Sequence, residues 1–196
     1  MNNGIQIPHY EIRCMKFRSI GDVLVVHEGV VLVPSLTEFN VADRGDAVAL
    51  VRPCLDIERW VAAVVDGRPY SDPKALHAVA ATAADPFTED ELTAALQHHP
   101  RIGEQASGAS AEATLSRSEQ SGVSANADVQ QKLAAANRAY EERFGHVFLI
   151  RAAGRSSSEI LAALEDRLTN DAETEKSIMS DQLRQIALLR LEGIFG

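Results

Sequence analysis

The chain has 196 residues, 45% hydrophobic and 24% charged, which suits one domain with a real buried core. A formal net charge of −9 and a sequence pI near 5.1 argue against a nucleic-acid binder, because backbone phosphates would be repelled and no Lys/Arg-rich run offsets that. Cys14 and Cys54 stand outside any CxxC pair and no uninterrupted apolar span reaches membrane length, so a disulfide framework, a zinc site and a membrane span are not expected; a cytoplasmic protein is.

Residues 1–34 differ from the rest. They are valine-rich, and VLVVHEGVVLV at 23–33 reads as two short strand-like runs around His27, Glu28 and Gly29, the pattern of a hairpin. This stretch is set apart as an N-terminal extension, short and β-like or disordered. Residues 35–196 are expected to form a single all-α domain of about seven to eight helices. Apolar residues in VADRGDAVALV recur at helical spacing until Pro53 stops them. A second segment, 55–65, carries Trp60 and ends in the turn-prone DGRPYSDP. Helices are then predicted over 73–84, 88–99, 127–144, 156–169 and 172–192. Thr88 with Glu91, and Ser156 with Glu159, fit the capping box, in which each side chain satisfies the other's exposed backbone N–H. HVFLI at 146–150 is β-like, but too short and too alone to build a sheet.

Between the predicted helices lies GEQASGASAEATLSRSEQSGVSANAD, residues 103–128, rich in Gly, Ser and Ala. Two readings stay open at this point: a long flexible connection, or a small-residue loop that closes over a ligand with its N–H groups and hydroxyls. Just before it stands HHPRIGE, 98–104. Such a stretch suits a plain helix end, a metal site or a proton-transfer site. Leu92, Leu96 and His99 lie at i, i+4 and i+7, so they share the apolar face, whereas His98 falls with Glu91 and Ala94 nearer the polar side. Adjacent helical residues diverge by about 100°, so His98 and His99 do not readily share an ion, and no HxxxH or Cys partner is near. Arg101 and Glu104 fit a local ion pair on a turn, or groups that bind a carboxylate and orient a base. Ser116 and Glu119 in LSRSEQSG repeat the capping-box spacing, on a segment with little apolar face to bury. That mismatch raises a ligand-binding reading for the hydroxyl, the carboxylate and the Gln120 amide. Asn137, Tyr140 and Phe144 share one helix face, which reads as core with an amphipathic rim.

Four of these stretches, HPRIGE (99–104), LSRSEQ (115–120), NRAYEERFGHVFLIR (137–151) and GRSSSEIL (154–161), come in the order and spacing found in the OHCU decarboxylases. LTEFNVADRGDAVALVRPC, with Trp60 and RPY at 68–70, also resembles the opening helices of that family. The likeness spans about 35–170. It implies an all-helical enzyme, usually a homodimer, that decarboxylates 2-oxo-4-hydroxy-4-carboxy-5-ureidoimidazoline to (S)-allantoin in urate breakdown, without metal or organic cofactor. Carried onto this chain, the catalytic histidine is His99, with Glu119 beside it. The substrate-binding set is Pro100, Ser116, Gln120 and the backbone of Phe148, Leu149, Ile150, Arg151 and Ala152. Two departures stand out. Many members carry cysteine at the place of Arg151, and residues 1–34 have no counterpart, being either an upstream region read from a misassigned start or an extension.

The chemistry suits these residue types. Loss of carbon dioxide leaves electron density on a carbon beside an electron-withdrawing ring, and that carbon must take a proton on one face only. An imidazole titrating near neutrality can take the substrate's hydroxyl proton and return one, or donate directly. A rival reading keeps the helices but makes the chain a non-catalytic interaction domain, with 103–128 as a tether. A second keeps the fold and changes the substrate to another ureido or imidazolidine acid.

Overall fold

The structure, a computed structural model, describes the backbone at 26–27 and 30–31, and residues 34–97, 99, 101–102, 115 and 127–196. The expected hairpin is present in minimal form: β1 (Val26–His27) pairs antiparallel with β2 (Val30–Val31), Val26 opposite Val31 and His27 opposite Val30. Everything else among the described residues is helix and connection. The helices are α1 (Leu36–Val41), α2 (Arg44–Val51), α3 (Glu58–Asp66), α4 (Pro73–Thr82), α5 (Glu89–Gln97), α6 (Ala127–Phe144), α7 (Ser157–Arg167) and α8 (Ala172–Phe195).

Local chemistry explains most of the boundaries. At α5 the Thr88 N–H donates to Glu91 Oε2 (2.7 Å) and the Glu91 N–H donates to Thr88 Oγ1 (3.2 Å), completing the expected capping box. Ser156 and Glu159 do the same at α7. Ser35 and Glu38 form a third box, at α1. Asp72 and Asp171 cap α4 and α8 by accepting the N–H of Ala75 and Thr174. The single helix predicted from 41 onward is interrupted: Ala42 is extended (φ −64°, ψ 148°) and α2 begins afresh at Arg44. The cause is remote in sequence. Arg68 Nη1 donates to the carbonyls of Phe39 (2.6 Å) and Ala42 (2.9 Å), which satisfies the end of α1 and lets the chain turn. Gly67 is fixed by packing, since a Cβ there would lie 2.5 Å from the Tyr70 hydroxyl oxygen.

The helices enclose two cores. The larger gathers Phe39, Val51, Leu55, Trp60, Val64 and Leu76 with Leu92 and Leu96 of α5 and Leu183, Ala187 and Leu191 of α8. Trp60 is fully buried, and its Nε1–H is satisfied by the Ala80 carbonyl at 2.9 Å. The smaller core joins Ile102, Leu133, Tyr140, Phe148, Ile150, Ala152, Ile160, Leu161 and Leu164. Among the described residues the β-like run after α6 pairs with no strand, as expected, and it runs between the two cores. Phe148, Ile150 and Ala152 enter the smaller core while Leu149 enters the larger, the two-residue alternation of an extended chain.

Candidate active site

His99 stands just past the end of α5, where its N–H still bonds to the Leu96 carbonyl at 3.1 Å. Leu92 and Leu96 on its face are buried and the imidazole is half-buried, as the helical spacing predicted. His99 Nδ1 lies 3.0 Å from the Ala95 carbonyl oxygen. A carbonyl oxygen only accepts, so Nδ1 carries a proton, and in the neutral ring the basic lone pair is on Nε2, beneath the protein surface.

The chain beyond His99 is anchored to α6. Arg101 grips Glu141 through two bonds, Nε to Oε1 at 2.5 Å and Nη2 to Oε2 at 2.9 Å, and the cation holds the Glu141 carboxyl below its ordinary pKa. The Ile102 carbonyl accepts from Asn137 Nδ2 at 3.0 Å, and the Ile102 side chain enters the smaller core. Asn137 and Tyr140 are buried, as the shared helix face suggested.

The other stretch expected at the site is the extended segment 148–152. Its placement depends on a buried charge cluster that the sequence reading did not find. Arg167 donates from Nη1 to the Leu149 carbonyl at 2.7 Å and lies over the Phe148 ring, 4.5 Å from its centroid. Its Nε and Nη2 bond to Glu175 Oε1, Nε at 2.8 Å, and the Tyr140 hydroxyl donates to the same oxygen. Asn170 Nδ2 donates to Glu175 Oε2 at 2.9 Å. Burial pushes the Glu175 carboxyl upward, but the bonds from Arg167, Tyr140 and Asn170 outweigh it and keep the group below the usual carboxylate range. Burial, helped by the bond to Glu175, drives the Tyr140 hydroxyl well above its ordinary value. Further along, the Arg151 N–H donates to Gln182 Oε1 of α8 at 2.9 Å, and the Ala152 carbonyl accepts from the Arg155 N–H at 3.0 Å.

The helix end and the segment 148–152 therefore border the same interior. Leu96 and Leu149 both belong to the larger core, and Ile102 belongs with Phe148, Ile150 and Ala152 to the smaller. The side chains of Phe148, Leu149, Ile150 and Ala152 are buried in those cores. Arg151 is half-buried and lines a shallow depression with His77, Gln185, Leu188, Leu189 and Glu192. His98, Pro100, Glu104, Ser116, Glu119 and Gln120 lie outside the described residues. Among the described residues no three His, Cys, Asp or Glu side chains cluster as a metal site, and no helix is long and apolar enough to cross a membrane.

Arg167, Glu175 and Gln182 carried a legible signal. Ile160, Leu164 and Arg167 repeat the i, i+4, i+7 spacing that singled out His99, as do Glu175, Met179 and Gln182. A charged or polar residue in register with an apolar stripe is the common feature.

Fold and site together define an all-helical protein in which a half-buried histidine follows a helix end and a buried ion pair holds an extended backbone segment. A family model described as OHCU decarboxylase matches residues 40–192, and the chain belongs to that family. A 2-oxo-4-hydroxy-4-carboxy-5-ureidoimidazoline decarboxylase of Haloferax volcanii is 30% identical over 172 residues, covering 83% of this chain and 96% of the relative. A uric acid degradation bifunctional protein of Bacillus sp. (strain TB-90) is 26% identical over 164 residues, 82% of this chain, but the match spans only 32% of that longer relative. The fold is also that of an OHCU decarboxylase crystallised in the presence of (S)-allantoin, with a TM-score of 0.63 at 23% identity over 79% of this chain and 99% of the other.

Proposed function

We propose that this chain decarboxylates 2-oxo-4-hydroxy-4-carboxy-5-ureidoimidazoline to (S)-allantoin, with His99 transferring the proton and with no metal or organic cofactor. The observation that carries the reading is His99 itself: a half-buried imidazole at a helix end, Nδ1 fixed on the Ala95 carbonyl, inside a family match over 40–192. The bond at Nδ1 holds one ring orientation, and in this reading Nε2 exchanges the proton. Proton transfer at one fixed nitrogen favours one face of the substrate carbon.

The remaining roles follow the family resemblance. Glu119 fixes the imidazole or holds ureido N–H groups, Ser116 and Gln120 bind ring heteroatoms, and Pro100 sets the wall after His99. The backbone of 148–152 holds the substrate ring against that wall. Apolar surroundings from Leu92, Leu96 and Phe148, all buried, suit a reaction in which a localised carboxylate charge spreads in the transition state. The homodimer usual in the family and a cytoplasmic location complete the reading, and light scattering after gel filtration measures the first.

The test generates the unstable substrate in place from urate with urate oxidase and hydroxyisourate hydrolase. Ultraviolet absorbance and circular dichroism are followed together, with EDTA present. The reading expects decay faster than the spontaneous background and an optically active product. Background decay from a chain whose helical content is confirmed would leave a non-catalytic helical domain.

A further inference from the structure

Among the described residues, the side-chain anchors of the segment 148–152 fall along one edge, while on the other the Ala152 carbonyl accepts from the Arg155 N–H. In an extended chain the N–H and C=O of alternate residues point the same way, so Leu149 and Arg151 face one edge and Ile150 the other. Both side-chain anchors fall on the first edge: Arg167 Nη1 on the Leu149 carbonyl at 2.7 Å, and Gln182 Oε1 on the Arg151 N–H at 2.9 Å. They come from different helices, α7 and α8, and grip the segment two residues apart.

We propose that Gln182 and Arg167 are positioning residues for the proposed decarboxylation, holding residues 149 and 151 so that Ile150 turns its N–H and C=O toward the substrate. This inference rests on the reading of 148–152 as the substrate-facing backbone. One residue that offers an N–H donor and a C=O acceptor side by side matches a lactam or ureide edge, where a carbonyl and an N–H are adjacent. Two parallel bonds of that kind fix which face of the ring meets His99. A slack segment therefore impairs both the rate and the choice of face.

The two anchors differ in what else they do. Arg167 is buried and compensated by Glu175, so its loss disturbs the core. Gln182 is half-buried on α8, so it can be changed with less effect on folding. Gln182→Met keeps length and loses the amide acceptor, whereas Gln182→Glu restores an oxygen acceptor for the Arg151 N–H. Gln182→Ala replaces the methionine variant should that chain not fold. Each is compared with the wild-type chain for kcat, KM, enantiomeric purity of the allantoin and melting temperature. Enzyme concentrations are adjusted so that every reaction outruns spontaneous decay by the same factor.

Gln182→Met is expected to lower kcat roughly ten- to hundredfold, with a smaller change in KM and a less enantiopure product at nearly unchanged melting temperature. Gln182→Glu is expected to recover most of the rate and the purity. Wild-type kcat and purity in Gln182→Met would overturn the positioning role, as would a glutamate variant no better than the methionine one. An inactive wild-type chain would instead contradict the proposed function itself.

Discussion

A carboxylate inside a core requires a counter-charge, and Glu175 has one: its side chain is 1% exposed, against Arg167 at 9%. Replacing it by glutamine keeps the shape and leaves the guanidinium of Arg167 buried without its anion. Glu175→Gln is expected to cost about 3–5 kcal/mol in urea denaturation, and a loss under about 1 kcal/mol would contradict the account. A second charged pair acts closer to the surface. Bonds from Arg59 and the Thr88 cap hold the Glu91 carboxyl at about 2, against an ordinary 4.5. A lowered native pKa adds stability that is complete above pH 4.5 and is lost as pH falls from 4.5 toward 2. Glu91→Gln is therefore expected to melt lower than wild type at pH 7, with the gap narrowing at pH 3. A gap equal at both values would show that ionisation of Glu91 plays no part.

At the scale of elements, side-chain caps mark the starts of α1, α4, α5, α7 and α8, whereas α2 and α3 begin without one. Ser156 accepts from the Glu159 N–H at 3.3 Å while Glu159 accepts from the Ser156 N–H at 2.7 Å. Ser156→Ala is expected to cost about 1 kcal/mol by denaturant unfolding, and an unchanged midpoint would show that this cap contributes nothing. The Thr88 and Ser156 boxes were legible because long periodic helices follow them. The Ser35 box has the same chemistry but opens a helix of six residues, too short to show a period. The break between α1 and α2 was not legible from adjacent residues, since its cause is Arg68, at separations of 29 and 26 residues from the carbonyls it binds. HVFLI read correctly as a β-like run that joins no sheet among the described residues. Its passage between two cores depends on α7 and α8, whose Arg167 and Gln182 stand 18 and 31 residues from the backbone groups they bind.

For the whole molecule, α8 ties the parts together. It lends Leu183 and Leu191 to the larger core, Glu175 to the buried ion pair and Gln182 to the backbone of 148–152. The all-helical class and the inward face of His99 were readable from periodicity, while the assembly of 148–152 needed contacts that only the folded chain makes. The anchoring of Arg101 on Glu141 and of the Ile102 carbonyl on Asn137 sets the chain beyond the histidine against α6, independently of His99 itself. A His99 variant is therefore expected to fold. The most direct measurement is the rate and optical purity of allantoin formation by His99→Ala beside the wild-type chain, with the substrate generated in place. The account predicts faster decay and one enantiomer from the wild type, and background decay with racemic product from a folded His99→Ala chain. Full rate and full stereospecificity in that variant would contradict it.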